Sequence, residues 1–357
     1  MQTLIEQYQT AIRAAAESKT PLRIRGGGTK DFYGNPAGEQ NGTLLDMSDY
    51  NGIVDYEPTE LVITARAGTR LADLEAELNR HGQMLAFEPP HFGAAATLGG
   101  CVAAGLSGPR RVAAGSVRDF VLGVRMLDGK GEDLRFGGQV MKNVAGYDVS
   151  RLMAGSMGTL GVLLEVSLKV LPKPAVETTL CMAMDEAVAI EKMNQWAGKP
   201  LPVSATCFAG DQLFIRLSGA EPAVRAARAK LGGDIVRDDA IFWRSVREHS
   251  HDFFQPDQQL WRLSVKSTAP SLHLPGKQLL EWNGALRWLC ATGGDDAEVI
   301  RRAAQEAGGH ATLFRGDAVR TEVFHPLSLA LMKIHRTLKE KFDPAGIFNP
   351  GRLYPGI

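Results

Sequence analysis

The sequence predicts an α+β fold in three parts: a glycine-rich α/β region over residues 1–174, a smaller antiparallel sheet with helices on one side over 175–322, and a closing helix and tail over 323–357 that return to the first part. Three observations predict it. Residues 1–170 hold 24 of the 39 glycines, an enrichment that the second half, near the ordinary share of about 7 per cent, lacks. Residues 162–170 alternate Val162, Leu164, Val166, Leu168 and Val170 against Glu165, Ser167 and Lys169, the period of a half-buried antiparallel strand. Pro172 and Pro174 then stop sheet and helix alike. Behind them, strands and helices follow in βαββα-like order.

Taken in order, Leu4, Tyr8, Ile12 and Ala15 share one face of a helix over residues 2–18, and the strand-like 22–25 runs directly into Gly26, Gly27 and Gly28. A strand over 61–65 leads to Thr69, which is expected to cap a helix carrying Leu71, Leu74 and Leu78 and ending at Gly82. Strands 120–127 and 132–136 form a hairpin about the turn Asp128 to Gly131. Beyond Pro174 come a strand (178–184), a helix (185–197), two strands (204–209 and 212–218) and a helix (221–231). A less regular stretch then leads to the segments WRLSVK and ALRWLCA, a helix over 295–307 and the segment ATLFR. Last, Leu327, Leu331, Ile334 and Leu338 form a helical stripe stopped by Asp343, Pro344 and Gly346; such a stripe needs a surface to cover.

A chain of 357 residues suits two or three domains, and 40 basic residues against 40 acidic ones exclude the positive field that nucleic-acid or anionic-membrane binding requires. Cys101, Cys181, Cys207 and Cys290 are widely spaced with no CxxC pairing, which points to small buried hydrophobes in a reducing cytoplasm and to no metal site. The N-terminus lacks an apolar core segment, and no stretch approaches 18 uncharged apolar residues. Membrane contact is therefore expected only through a partner.

The glycines fall into four clusters: RGGGTK at 25–30, TLGG at 97–100, AAGSVRD at 113–119 and GSMGTLG at 155–161. Glycine lets main-chain amides approach a ligand without a Cβ in the way, so repeated clusters suit a long, multiply charged ligand such as a dinucleotide. The loop Arg25 to Lys30 offers consecutive amides, the Thr29 hydroxyl and the Lys30 charge to a pyrophosphate. Each hydrogen bond to a charged group contributes roughly 1.5–3 kcal/mol, whereas micromolar to nanomolar affinity needs about 8–12 kcal/mol, so several clusters must act together. Pro89 and Pro90 stiffen the approach to TLGG. The GxGxxG pattern of a Rossmann fold is absent.

These segments, together with GSVRDFVLGVRMLDGKGE, KNVAGYDVSRLMAGSMGTLGVLLEVSLKVLPKP and the terminal FDPAGIFNPGRL, resemble the two-lobed FAD-binding fold of the vanillyl-alcohol oxidase and p-cresol methylhydroxylase (PCMH-type) superfamily. More narrowly they are similar to the E-subunit family of bacterial glycolate oxidases, densely over residues 20–174, again over about the last 30 residues, and thinly across the middle. The resemblance implies FAD extended between two α/β lobes. Gly26, Gly27, Gly28 and Thr29 would hold the pyrophosphate, with Thr97, Gly99 and Gly100 near the phosphates and ring. Asp119, Gly158, Gly161 and Val162 would lie along the rest of the cofactor, and Asn349 would approach the ring edge. Gly27→Asp should then abolish FAD retention.

Members with covalent flavin carry a histidine after the glycine run; here Thr29 and Lys30 follow, which implies non-covalent FAD. Family D-2-hydroxy-acid dehydrogenases bring metal-binding histidines from an HxGDGNxH-like segment, and the nearest stretch here, FAGDQLFIRL, has none. The resemblance therefore implies a complex in which a larger FAD-binding subunit oxidises glycolate or a similar 2-hydroxy acid, an iron–sulfur subunit carries electrons away, and this chain relays electrons or supports assembly. Such a complex is cytoplasmic, or peripheral to the inner membrane through its partners. Two alternatives stay open: a self-sufficient dehydrogenase using Arg315, Arg320 and His325, and a structural subunit with a vestigial flavin site. No catalytic residue is assigned.

Other side chains carry weaker signals. His249 and His251, on a helix over 238–252, face different directions and are expected to be solvated rather than chelating. Lys142, Tyr147 and Asp148 are placed either beside the flavin or in structural packing, and Arg110 and Arg111 either at a phosphate or partner or on a solvated surface.

Overall fold

The computed structural model describes residues 1–36, 42–138, 148–255, 257–291, 297–316 and 322–357. The helix Gln2–Ser18 buries Ile5, Tyr8, Ile12 and Ala15, Ile5 lying deeper than the expected Leu4. It covers the parallel strands Leu22–Arg25 and Thr43–Asp46, which complete the first lobe. The second lobe is a five-stranded antiparallel sheet in the order Ile53–Glu57, Val62–Arg66, Val162–Lys169, Val121–Leu127 and Asp133–Gly137. The last two strands pair as the expected hairpin, from Gly123 opposite Gly137 to Leu127 opposite Asp133.

Two expectations about this lobe need correction. The strand Val162–Lys169 is central and covered on both faces, not half-buried. Its polar positions are closed over because the neighbouring strands satisfy them: Ser167 shares a hydrogen bond of 2.8 Å with Thr64, and Glu165 accepts from Arg125 at 2.8 Å and Tyr50 at 3.1 Å. Thr69 does not cap the helix Leu71–Arg80, whose N-cap is Arg70 with no side-chain bond. Its hydroxyl is instead spent on Gly52, accepting from the amide at 2.9 Å and donating to the carbonyl.

From Val176 onward the chain builds an eight-stranded antiparallel sheet in the order Asp234–Ile235, Val176–Ala183, Gln212–Gly219, Val203–Ala209, Gly276–Glu281, Leu286–Ala291, Gln259–Ser264 and His310–Arg315. Helices Glu186–Ala197, Glu221–Leu231 and Ala297–Glu306 cover one face, through Ile190, Val224 and Ile300 among others. The expectation of helices on one side fails for a fourth, Asp239–Arg247, which packs on the opposite face through Trp243 and Val246. There Trp288 and Phe314 meet Tyr33, Ala104 and Leu106 from the first two lobes.

The two bodies are joined by buried ions. Arg110 is 6% exposed, and its guanidinium pairs with Glu88 and with Glu177 on the eight-stranded sheet; Arg216, 5% exposed, reaches Glu88 at 2.9 Å from the same sheet. Burial disfavours the Glu88 carboxylate, but Arg216 and Arg110 outweigh it and hold the group below the usual glutamate range. Arg110 is thus neither a phosphate ligand nor a solvated surface residue.

The helix Leu329–Phe342 returns only in part. Leu338 and Phe342 dock on the second lobe's core, whereas Leu329, Leu331 and Ile334 are 91%, 48% and 55% exposed, so half of the predicted stripe covers nothing among the described residues. Past it, Phe348 bridges to Leu22, and the buried Lys339 ammonium donates to Thr159 O (2.8 Å) and Phe348 O (2.7 Å) beside Asp343. Among the described residues no helix is long and apolar enough to cross a membrane.

Candidate functional site

The two lobes leave a cleft of about 830 Å³ between the loop after Leu22–Arg25, the helix Leu98–Ala104 and the returning tail. The main-chain amides of Gly26, Gly27, Gly28, Thr29 and Lys30 donate to no described residue, and those of Gly158 and Gly161 are likewise free. An open row of amides on a water-sized-to-dinucleotide cleft is what a pyrophosphate fits, since such donors lose free energy when buried unpaired. The loops also approach one another too closely for side chains. A Cβ on Gly26 would stand 2.3 Å from Thr97 Oγ1 and one on Gly27 1.5 Å from the Ala95 carbonyl oxygen, so Gly27→Asp would disturb packing as well as charge.

The predicted residues divide by what their polar atoms do. Gly26, Gly27, Gly28, Thr97 and Gly100 line the cleft, and Gly99, Gly158 and Gly161 line a smaller cavity continuous with it. Thr97 caps the helix Leu98–Ala104, accepting from Gly100 N at 3.3 Å. Arg25 pairs with Asp31 at 3.0 Å. The Thr29 hydroxyl and Lys30 ammonium both donate to the His91 carbonyl, at 2.7 and 3.2 Å, and burial lowers the Lys30 pKa. Asn349 accepts from Ile24 N at 2.9 Å and donates to Met157 O at 2.8 Å, so its amide clamps three segments together. Pro89 is buried and lines none of these cavities, and Val162 turns its side chain into the core under the first helix. Asp148 caps a short helix through Arg151 N at 3.1 Å; Lys142 and Tyr147 lie outside the described residues.

Ala104 and Met157 also line a second chamber of about 450 Å³, walled by Tyr33, Arg111, Asp119, Arg262, Trp282 and Phe324. The Asp119 carboxylate is committed to Ser116, accepting from its amide and its hydroxyl at 2.8 Å each; burial opposes ionisation, but these bonds hold the group below the usual aspartate range. Arg262 and Trp282 escaped the sequence reading. The one signal was parity: with Trp261 in the core, Arg262 must point to the other face.

His249, expected to be solvated, is half-buried behind this chamber. The helix stops at Arg247 rather than running on, and His249 takes a left-handed φ of 53° that turns its ring onto Phe254, 4.0 Å away and nearly parallel. Burial first, then the Arg315 and Arg262 charges, push its pKa well below the ordinary histidine value, so the imidazole is neutral. Its Nδ1 atom is buried and has no partner among the described residues. His251 is half-buried and accepts from Phe253 N through Nδ1 at 3.2 Å. No group of three or more metal-ligating side chains occurs among the described residues.

Glu281 lines the same rear cavity as His249 and accepts from Trp288 Nε1 at 2.8 Å. Burial pushes its pKa up to about 7. A folded-state value above the ordinary 4.5 means the native state binds more protons than the unfolded one across that interval, so this stability is present below pH about 4.5 and is lost as the pH rises to about 7. Glu281→Gln should remove a slope of up to about 1.4 kcal/mol per pH unit, read from urea unfolding at several pH values. Equal slopes in both proteins would contradict the assignment.

Of the three residues named for the alternative dehydrogenase site, two are described. Arg315 lies over the Phe32 ring at 5.0 Å, His325 lines a separate surface groove with Arg301 and Arg302, and Arg320 lies outside the described residues. The FAGD stretch is a hairpin turn, with Gly210 and Asp211 at φ 57° and 59°, between strands Val203–Ala209 and Gln212–Gly219.

Residues 3–137 match the family described as FAD binding domain. The chain is 51% identical over 354 residues, 99% of its length and 97% of the relative's, to glycolate oxidase subunit GlcE of Escherichia coli strain K12. It is 30% identical over 175 residues to glycolate oxidase subunit GlcD of Bacillus subtilis strain 168, and 31% identical over 172 residues to D-lactate dehydrogenase of Anaerostipes hadrus. Those two alignments take in about half of this chain, 49% and 48%, and 37% and 36% of the relatives. An alkyldihydroxyacetonephosphate synthase structure superposes with a TM-score of 0.64 over 97% of this chain and 74% of its own, at 16% identity, which shows the shared fold.

Proposed function

The chain belongs to the E-subunit family of glycolate oxidases, FAD-binding oxidoreductases, and from that premise we propose that it is the smaller flavin-binding subunit of a complex oxidising glycolate to glyoxylate. The observation that carries the reading is the row of free amides from Gly26 to Lys30 on a cleft of about 830 Å³. Gly26 to Thr29 would hold the pyrophosphate, Thr97 and Gly100 would bring the helix start to it, and Gly158 and Gly161 would lie beneath the rest of the cofactor. Bound FAD would supply two-electron acceptance and stepwise electron release. The protein's part is to bind, orient and exclude water. Thr29 and Lys30, where covalent flavoproteins carry histidine, support a non-covalent cofactor.

A larger flavin subunit would oxidise the acid, an iron–sulfur subunit would take the electrons, and the assembly would be cytoplasmic or peripheral to the membrane through those partners. Purification of the full chain co-expressed with a larger flavin subunit and an iron–sulfur subunit tests this. The expected result is a yellow protein that releases all its flavin on denaturation, co-purifies with iron–sulfur absorbance, and is not bleached by glycolate when isolated from its partners. A colourless chain would overturn the flavin reading, and bleaching of the isolated chain would favour a self-sufficient dehydrogenase.

A further inference from the structure

The second chamber is lined by three arginines, Arg111, Arg118 and Arg262, and by one carboxylate, Asp119. Arg111 and Arg262 lie over the Trp282 ring, at 4.4 and 5.3 Å from its centroid, and both face the space of about 450 Å³. Neither guanidinium makes an ion pair or a side-chain hydrogen bond with a described residue, although other buried or half-buried arginines here, Arg110, Arg125, Arg216 and Arg352, are fully engaged. The acids nearby, Asp119 and Glu281, hydrogen-bond to Ser116 and Trp288 and not to either guanidinium. Burial and then the Arg262 charge lower the Arg111 pKa, and the Asp119 carboxylate opposes them.

The backbone maintains this arrangement at a cost. Trp282 and Asn283 take consecutive left-handed φ values of 54° and 58°, a strained conformation for residues with side chains. It is held by Trp282 Nε1 donating to Gly108 O at 3.0 Å, by Asn283 N donating to Thr206 Oγ1 at 2.9 Å, and by Asn194 donating to the Asn283 carbonyl. Two guanidiniums without a direct ion pair to a described residue, gathered on the ring that the strained turn presents, favour an anion, and a planar fork matches a carboxylate with two parallel hydrogen bonds. The aromatic walls, Tyr33, Trp282 and Phe324, favour an organic acid over a bare inorganic ion.

We propose that Arg111 and Arg262 form a binding site for a small organic carboxylate, of two or three carbons, in the chamber that adjoins the cofactor cleft through Ala104 and Met157. The site goes beyond the proposed function, because it binds the acid on this chain and requires no turnover here. Its occupant would meet the cofactor cleft at Met157, where binding can be reported by the flavin spectrum.

The test titrates the flavin-loaded full chain with oxalate and glycolate, by calorimetry and by perturbation of flavin absorbance. Saturable binding of oxalate is expected, weakened at least 10-fold in Arg262→Met and in Arg111→Met, with Arg262→Lys intermediate because it keeps the charge but not the fork. Methionine keeps an unbranched apolar stem over Trp282, and an unchanged thermal midpoint in either variant shows that the fold is intact. No saturable binding to a flavin-loaded protein, equal binding by wild type and both methionine variants, or phosphate binding as tightly as oxalate would each overturn the proposal. These results are distinct from a colourless protein, which would overturn the flavin reading.

Discussion

Glu88→Gln is expected to destabilise the protein by about 3–5 kcal/mol and to lower its thermal midpoint by on the order of 5–10 °C. The substitution keeps the side chain's size and removes its charge, leaving the Arg110 and Arg216 guanidiniums, 6% and 5% exposed, with Glu177 as their remaining acidic partner. The penalty comes from uncompensated buried charge rather than lost packing. Removing Arg216 together with Glu88 should therefore cost less than the sum of the two single changes, because the Arg110–Glu177 pair survives in the double variant. Strict additivity in a double-mutant cycle would refute this account. The lattice also sets a direction with pH: Glu88 is held below the usual glutamate range, so its contribution is present above pH about 4.5 and is lost as the pH falls through its lowered folded value.

Gly100→Asp is expected to leave a folded protein that has lost its flavin. A Cβ at Gly100 meets only Thr97 Oγ1, at 3.2 Å, whereas one at Gly27 would collide with main chain. Aspartate in the first turn of the helix Leu98–Ala104 is favourable for the helix itself, and it directs a carboxylate into the cleft that Gly100 lines. Repulsion of the pyrophosphate and loss of two charge-assisted hydrogen bonds should weaken FAD at least 100-fold, roughly 3 kcal/mol or more. Gly100→Ala is the control and should retain most of the flavin. The ratio of visible flavin absorbance to protein absorbance after gel filtration reads both. Full colour in Gly100→Asp would mean that the cofactor phosphates lie elsewhere.

The parts of the molecule that were legible in the sequence are those whose cause is local. The turn Asp128 to Gly131 between two strand-like segments marked the hairpin Val121–Leu127 with Asp133–Gly137, and three of the four glycine clusters marked loops that border the cleft or the smaller cavity beside it. The strand Gly276–Glu281 was missed because its first half, Gly276 to Gln278, is polar or bare and offers no period. Arg110 and His249 read as solvated because the residues that bury them, Glu177 and Arg216 for one and Phe254, Trp288 and Phe314 for the other, arrive from distant strands and loops. The Arg111–Trp282–Arg262 cluster was hidden for the same reason: its members come from the short helix Arg111–Ala114, the turn after the strand Gly276–Glu281 and the strand Gln259–Ser264.

The stitching of Asn349 to Ile24 and Met157, and of Lys339 to Thr159, has a consequence for biogenesis. Floor and wall of the dinucleotide crevice depend on bonds between segments far apart in sequence, 325 positions for Ile24 and Asn349. A polypeptide synthesised only as far as Gly158 therefore holds its first glycine loop without the fasteners that set the spacing of the crevice.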